Sequence, residues 1–208
     1  MRQLWDISAP VHPGSPVYPG DVAYTQRWCA RLPDDGPVNL SAITLSPHVG
    51  THADAPLHYA VDGAAVGLLA LEPFIGPCRV IHVMACGPFI EWQHLAHALV
   101  DLPPRVLVRT YHQAPTQWDA CLTAFAPDTL ERLADAGVLL VGTDSASVDL
   151  ADSALLPCHQ VLWRRGLRVL ENLLLDAVPE GDYELIALPL RLTQADASPV
   201  RAVLRSLA

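Results

Sequence analysis

Pro127-Asp128-Thr129-Leu130-Glu131-Arg132-Leu133-Ala134-Asp135-Ala136-Gly137-Val138-Leu139-Leu140-Val141 is the stretch that decides the fold class. Proline suits the first turn of a helix and glycine its end, so a helix is expected over 127–136. The apolar run 138–141 that follows reads as a buried strand. Working outward, Arg105 to Thr110 and Cys78 to Met84 are further strand candidates, with helical residues Glu91 to Leu99 between them. On the C-terminal side come a helix over Leu155 to Arg165, a short strand at Val169-Leu170 and a buried strand from Tyr183 to Leu192. This is a β-α-β rhythm. The first sixty residues are instead strand and turn material. Val22 to Trp28 and Val38 to Leu45 can extend, and turns fall at His12-Pro13-Gly14, Tyr18-Pro19-Gly20 and Pro33-Asp34-Asp35-Gly36. Nineteen prolines leave little room for long helices. The expected class is α/β, mixed, with the β portion loaded towards the front.

At 208 residues, 51% of them hydrophobic and 17% charged, the chain has the size and apolar content for one core, and a single domain over 1–208 is expected. No apolar run reaches the roughly 18 residues of a membrane span, and Met1 to Pro10 lacks the build of a secretion signal. A soluble, cytoplasmic protein is expected. The net charge of −9, with no run of Lys or Arg, argues against nucleic acid as a partner. Cys29, Cys78, Cys86, Cys121 and Cys158 form no C-x-x-C pair. They are expected to be reduced, buried thiols.

Three of the nine histidines crowd into Pro47-His48-Val49-Gly50-Thr51-His52-Ala53-Asp54-Ala55-Pro56-Leu57-His58. Pro47, Gly50 and Pro56 make a helix here a poor proposal. In an extended chain, alternate side chains face one side, so His48, His52, Asp54 and His58 would all point one way. Gly50 and Pro56, the positions between them on that face, are small enough to leave space for an ion. Two imidazoles and a carboxylate are donors that borderline divalent cations accept, with positions left open to water.

The pattern His48-x-Gly50-Thr51-His52-x-Asp54-x-Pro56-x-His58 resembles the signature of the cyclase-like metal-dependent hydrolases, and the similarity extends to Asp6-Ile7-Ser8 and Gly142-Thr143-Asp144-Ser145. The resemblance implies the family's swivelling-type β/β/α fold. It implies hydrolysis of an aryl formamide, N-formyl-L-kynurenine, to the free amine and formate, as in tryptophan degradation. It further implies two Zn2+ ions per subunit, with Mn2+ or another divalent ion as substitutes. His48, His52 and Asp54 would bind the first ion and Asp54 would bridge to the second. His159 and Glu171 would complete the second site, and His58 would donate and accept protons. Tyr18 matches the position of a substrate-contacting tryptophan in the family, a departure that keeps an aromatic face for stacking while adding a hydroxyl and shrinking the ring. A homodimer is also implied.

Other polar residues carry less. His82 reads as a satisfied core residue, and His94 and His97 as a solvated helix face. His12 and His112 stand in loops that could border a pocket, and Asp144 and Ser145 could orient metal ligands. Two rival functions stay open: a related hydrolase of isatin-type lactams, and a metal-binding module without catalysis. A serine hydrolase finds no Gly-x-Ser-x-Gly elbow in the chain.

Overall fold

The helix opened by Pro127 forms, the strand after Gly137 forms two residues later than the expected 138–141, at Leu140–Thr143, and both lie at the centre of the architecture. The computed structural model describes residues 2–207. In chain order its elements are β1 (Leu4–Asp6), β2 (Thr25–Ala30), β3 (Leu40–Thr44), β4 (His52–Asp54), β5 (Ile75–His82), β6 (Phe89–Ile90), α1 (Trp92–Leu95), β7 (Arg105–Arg109), β8 (Ala124–Phe125), α2 (Pro127–Asp135), β9 (Leu140–Thr143), α3 (Pro157–Arg165), β10 (Arg168–Glu171), β11 (Gly181–Ile186), β12 (Ala197–Pro199) and β13 (Val203–Ser206).

Among the described residues, nine strands make one sheet in the order β1-β13-β11-β5-β7-β9-β10-β4-β12. The pairs β5/β7, β7/β9 and β9/β10 are parallel. The segments that carry α1, α2 and α3 lie between their members in the chain, because parallel neighbours need a crossover. The outer pairs on both sides are antiparallel.

Alternation along the central strands separates two cores. Val106, Val108, Val141 and Val169 face Leu95, Leu130, Leu133, Val161 and Leu162 of the helical layer. Leu107, Leu140 and Leu170 point the other way and share a cluster with Leu185 of β11 and Leu204 of β13, so the sheet curls back over its own face. Leu130 and Leu133 of α2 are completely buried. Each such leucine contributes roughly 1.5–3 kcal/mol relative to exposure.

The mixed α/β class is therefore as expected, and several boundaries are corrected. The strand expected to run to Leu192 ends at Ile186, where the chain turns ahead of Pro189. The helix expected over Glu91 to Leu99 is one α turn, Trp92–Leu95, followed by a 3-10 turn, Ala96–Ala98. Of the cysteines, Cys78 and Cys158 are buried as expected, but Cys29 and Cys121 are exposed, and all five are free. Strands β2 and β3 pair only with each other among the described residues. That hairpin displays Trp28, Val38, Leu40 and Ile43 to solvent, each 45–58% exposed.

Candidate metal centre and its cavity

Strand β4 carries the site. It lies between β10 and β12, with Glu171 directly opposite His52 and Ala197 directly opposite Asp54. Residues 52 and 54 share a face because strand side chains alternate, and opposed residues on paired strands project together. His52, Asp54 and Glu171 are consequently neighbours, each at most 3% exposed. Strand β10 ends there because Asn172 adopts a left-handed φ of 53°, a conformation asparagine tolerates.

His48 reaches the same place by another route. The expectation of one extended chain from 48 to 58 is overturned: residues 47–50 form a turn and Pro56–His58 a 3-10 turn, with only 52–54 as strand. Gly50 makes the first bend possible. Its φ is +66°, and a Cβ there would stand 2.7 Å from Val11 Cγ2. Pro56 opens the second turn, where its fixed φ suits a first helical position. The four side chains converge through two bends rather than through alternation.

Gly63 keeps the second turn in place, since a Cβ on it would come within 2.2 Å of the Pro56 carbonyl. Gly63→Ala is expected to displace the turn that carries His58, to cost roughly 1–3 kcal/mol of stability and to lower turnover on an aryl formamide by up to about 10²-fold. A variant of lowered melting temperature but unchanged turnover would show that the position of His58 is immaterial.

His159 enters from the start of α3. Asp149, buried, accepts from the Cys158 and His159 backbone N–H groups at 2.9 and 3.0 Å and from His159 Nδ1 at 2.7 Å. One carboxylate thus caps the helix and fixes the imidazole. His52 is fixed in the same manner, its Nδ1 bonded to the Gly50 carbonyl at 2.9 Å. His48 Nε2 is bonded to Asp196 Oδ2 at 3.0 Å. Each of the three rings therefore has one nitrogen held from outside and the other turned inward, towards the carboxylates.

The inward atoms are close and unsatisfied. His48 Nδ1 is 3.0 Å and His52 Nε2 3.3 Å from Asp54 Oδ1; His159 Nε2 is 3.4 Å from Asp54 Oδ2; His52 Nε2 is 3.3 Å from Glu171 Oε2. Despite these ion-pair distances, His52 Nε2, His159 Nε2 and both Asp54 oxygens are buried without a hydrogen bond of acceptable geometry. Orphaned buried polar atoms are costly, and a cluster of four needs a cause. Donor atoms arranged around a shared centre, rather than aimed at one another, have one. Burial works to strip the proton from His52, but Asp54 and Glu171 more than reverse this and lift its pKa to about 10. At His159, burial is likewise outweighed by Asp149, Asp54 and Glu171, which raise its pKa to about 10. Burial also acts against Asp54, yet the three histidines hold its carboxyl well below the ordinary value. The carboxylates draw positive charge into the cluster, which protons supply on the imidazoles and which a divalent cation would supply on the same N and O donors. Two triads, His48/Asp54/His58 and His52/Asp54/Glu171, each offer ligand atoms within 4.8 Å of one another.

His58 lies at the open edge. Its ring centroid is 4.3 Å from that of His48 and 5.9 Å from that of His159. Beyond it opens a cavity of about 1000 Å³, bordered by His12, Tyr18, Trp118 and Asp196. Tyr18 packs edge-on against Trp118 with centroids 5.2 Å apart. All seven residues singled out in the sequence thus border this one space or the cluster beneath it. Asp149, Asp196 and Trp118 escaped the sequence reading. A carboxylate ahead of a Pro-led helix was the one available cue for Asp149; Asp196 and Trp118 lie too far along the chain to signal themselves. Asp144 does not touch the ligating rings and instead accepts from Thr110 and Tyr111, anchoring the loop after β7. His82 bonds to Val178 O, His94 to the Glu91 backbone and His97 to Glu180, which accounts for them without a ligand.

The Cyclase family model, described as "Putative cyclase", matches residues 5–150, and the chain belongs to that family. Among curated proteins it is 67% identical to the kynurenine formamidase of Paracidovorax citrulli, over 99% of this chain and 97% of that one. It is 66% identical to the kynurenine formamidase of Delftia acidovorans, over 100% and 99%. A solved structure described as a potential metal-dependent hydrolase with cyclase activity superposes with a TM-score of 0.86 at 28% identity, covering both chains completely.

Proposed function

We propose that the protein is a metal-dependent arylformamidase that hydrolyses N-formyl-L-kynurenine to L-kynurenine and formate, acting in the cytoplasm as a homodimer. His48, His52, Asp54, His159 and Glu171 are assigned to two divalent cations, Zn2+ in the first instance, and His58 to proton transfer. The observation that carries this reading is the inward convergence of the unsatisfied nitrogens of His52 and His159 on the two oxygens of Asp54. The names of the full-length relatives supply the substrate.

Divalent cations held by such donors would lower the pKa of water towards neutrality and polarise a carbonyl oxygen. The chain's own residues provide the rest. Gly50 O, Asp149 and Asp196 hold the ligating rings in one tautomer and one orientation. Asp54, with His48 and His52 at one oxygen and His159 at the other, suits a bridging role. His58, half-exposed beside the cavity, is placed to protonate the departing aniline nitrogen, which otherwise leaves as a poor anion. Tyr18 and Trp118 present aromatic surface to an aryl ring. Pairing of two chains would cover the apolar hairpin β2/β3, since a two-stranded ribbon is marginal by itself.

The test is metal removal. Protein stripped with a chelator should lose hydrolysis of N-formyl-L-kynurenine, followed by formate release, and recover it with about two equivalents of Zn2+ or Mn2+ per chain; isatin should be a poor substrate. Undiminished turnover by metal-free protein, or none by loaded protein on any formanilide, would overturn the reading.

A further inference from the structure

The catalytic reading leaves unexplained how His58 is held, since its turn is short and its ring is the most exposed of the cluster's imidazoles. Side-chain exposure is 34% at His58 and 21% at His48, against 2–3% at His52 and His159. An imidazole on an open rim has rotameric freedom to lose before it can transfer a proton in a fixed direction. Among the described residues one side chain hydrogen-bonds to that ring. Asp196 Oδ2 lies 3.3 Å from His58 Nδ1, and the same oxygen is 3.0 Å from His48 Nε2.

We propose that Asp196 is a positioning residue that fixes the ring and tautomer of His58 and ties it to the metal ligand His48. A carboxylate at Nδ1 keeps the hydrogen on that nitrogen and leaves Nε2 as the atom that exchanges a proton with substrate. The mount is rigid. Ala55 N–H donates to the Asp196 carbonyl at 2.8 Å and Val66 N–H to the Ala195 carbonyl at 2.9 Å, while Ala197 pairs with Asp54 in the β12/β4 ladder. The carboxylate is therefore referenced to the strand that bears Asp54. By sharing one oxygen between two rings it sets the spacing between the proton carrier and the cluster. Proton transfer is sensitive to such placement, because the donor must lie within hydrogen-bond reach of the reacting nitrogen.

The inference rests on the proposed function, and a double-mutant cycle tests it. D196A, assayed with Zn2+ in excess because the same carboxylate also holds the ligand His48, is expected to lower kcat on N-formyl-L-kynurenine by roughly 10–100-fold with KM little changed. D196N, which keeps the shape and one oxygen acceptor, should lose less. In an H58A background D196A should cost several-fold less than in the unaltered protein, the remainder being its contact to His48, since the part of its effect that acts through His58 is silent once that residue is gone. Nitrogen NMR of the His58 ring should show the Nδ1–H form in the unaltered protein and a shift towards Nε2–H in D196A, a readout that needs no turnover. Equal losses from D196A with and without His58, metal loss in step with activity, or a His58 tautomer indifferent to D196A would overturn the assignment. If the loaded wild-type protein hydrolyses no formanilide, the functional reading fails, and the NMR measurement still decides whether Asp196 holds His58.

Discussion

Asp54→Ala is expected to yield a folded protein that retains little divalent cation and loses hydrolysis by roughly 10²-fold or more, beyond what loss of an outer partner of a metal ligand costs. The reason is the position of the side chain. Its two oxygens lie within 3.0–3.4 Å of nitrogens from His48, His52 and His159. No other carboxylate among the described residues touches all three rings. Removing it withdraws a donor from both halves of the cluster at once, whereas loss of His48 alone would touch one. Stability should fall both with and without metal. In chelator, against the effect of burial, the imidazoles of His48, His52 and His159 hold the Asp54 carboxyl ionised, well below its ordinary pKa, and removing one partner of a buried charge cluster is destabilising. With metal present, binding stabilises only the protein that can bind, by about 2.7 kcal/mol at a hundredfold excess over Kd. The gap between the melting temperatures of wild type and D54A should therefore widen when Zn2+ replaces chelator. Metal analysis of D54A that matches wild type would remove Asp54 from the centre altogether.

Which parts of the molecule were legible in the sequence follows from how locally each is specified. Helix α2 is bounded by Pro127 and Gly137, whose backbone restrictions act locally, and it formed within a residue of its expected limits. Strands β7, β9 and β10 are short runs buried on both faces, and their existence, though not their ends, follows from composition. The stretch 48–58 is different. Its residue types are ones that can ligate a cation, and the structure brings them together, but not by the period-two argument. The Gly50 bend and the Pro56 turn do what a continuous strand would not, placing His48 and His58 beside a three-residue strand. Residue type speaks for chemistry, while the path of the chain is decided by the two residues with unusual backbone freedom or restriction. Asp149 and Asp196 mark the limit. Their importance lies in contacts made across the fold, His159 to Asp149 and His58 to Asp196, and no local pattern encodes the second of these.

His58→Ala separates proton transfer from metal binding. Geometry alone allows either role, because His58 offers a ligand atom within 4.8 Å of those of His48 and Asp54. Two features favour the proton carrier: the ring is 34% exposed at the cavity edge, where a substrate nitrogen has access, and its Nδ1 is engaged by Asp196. On this assignment H58A keeps its full metal complement and loses roughly 10²-fold or more in kcat, the usual cost of deleting a general acid-base group. The size of the loss should also depend on the substrate. An anilide whose ring carries electron-withdrawing groups leaves more readily without protonation, so the deficit of H58A should shrink along a series of increasingly electron-poor formanilides. A deficit constant across the series would place the role of His58 in a step other than departure of the amine. Loss of a metal equivalent on mutation would instead make it a ligand, and the proton would then have to come from another group facing the cavity.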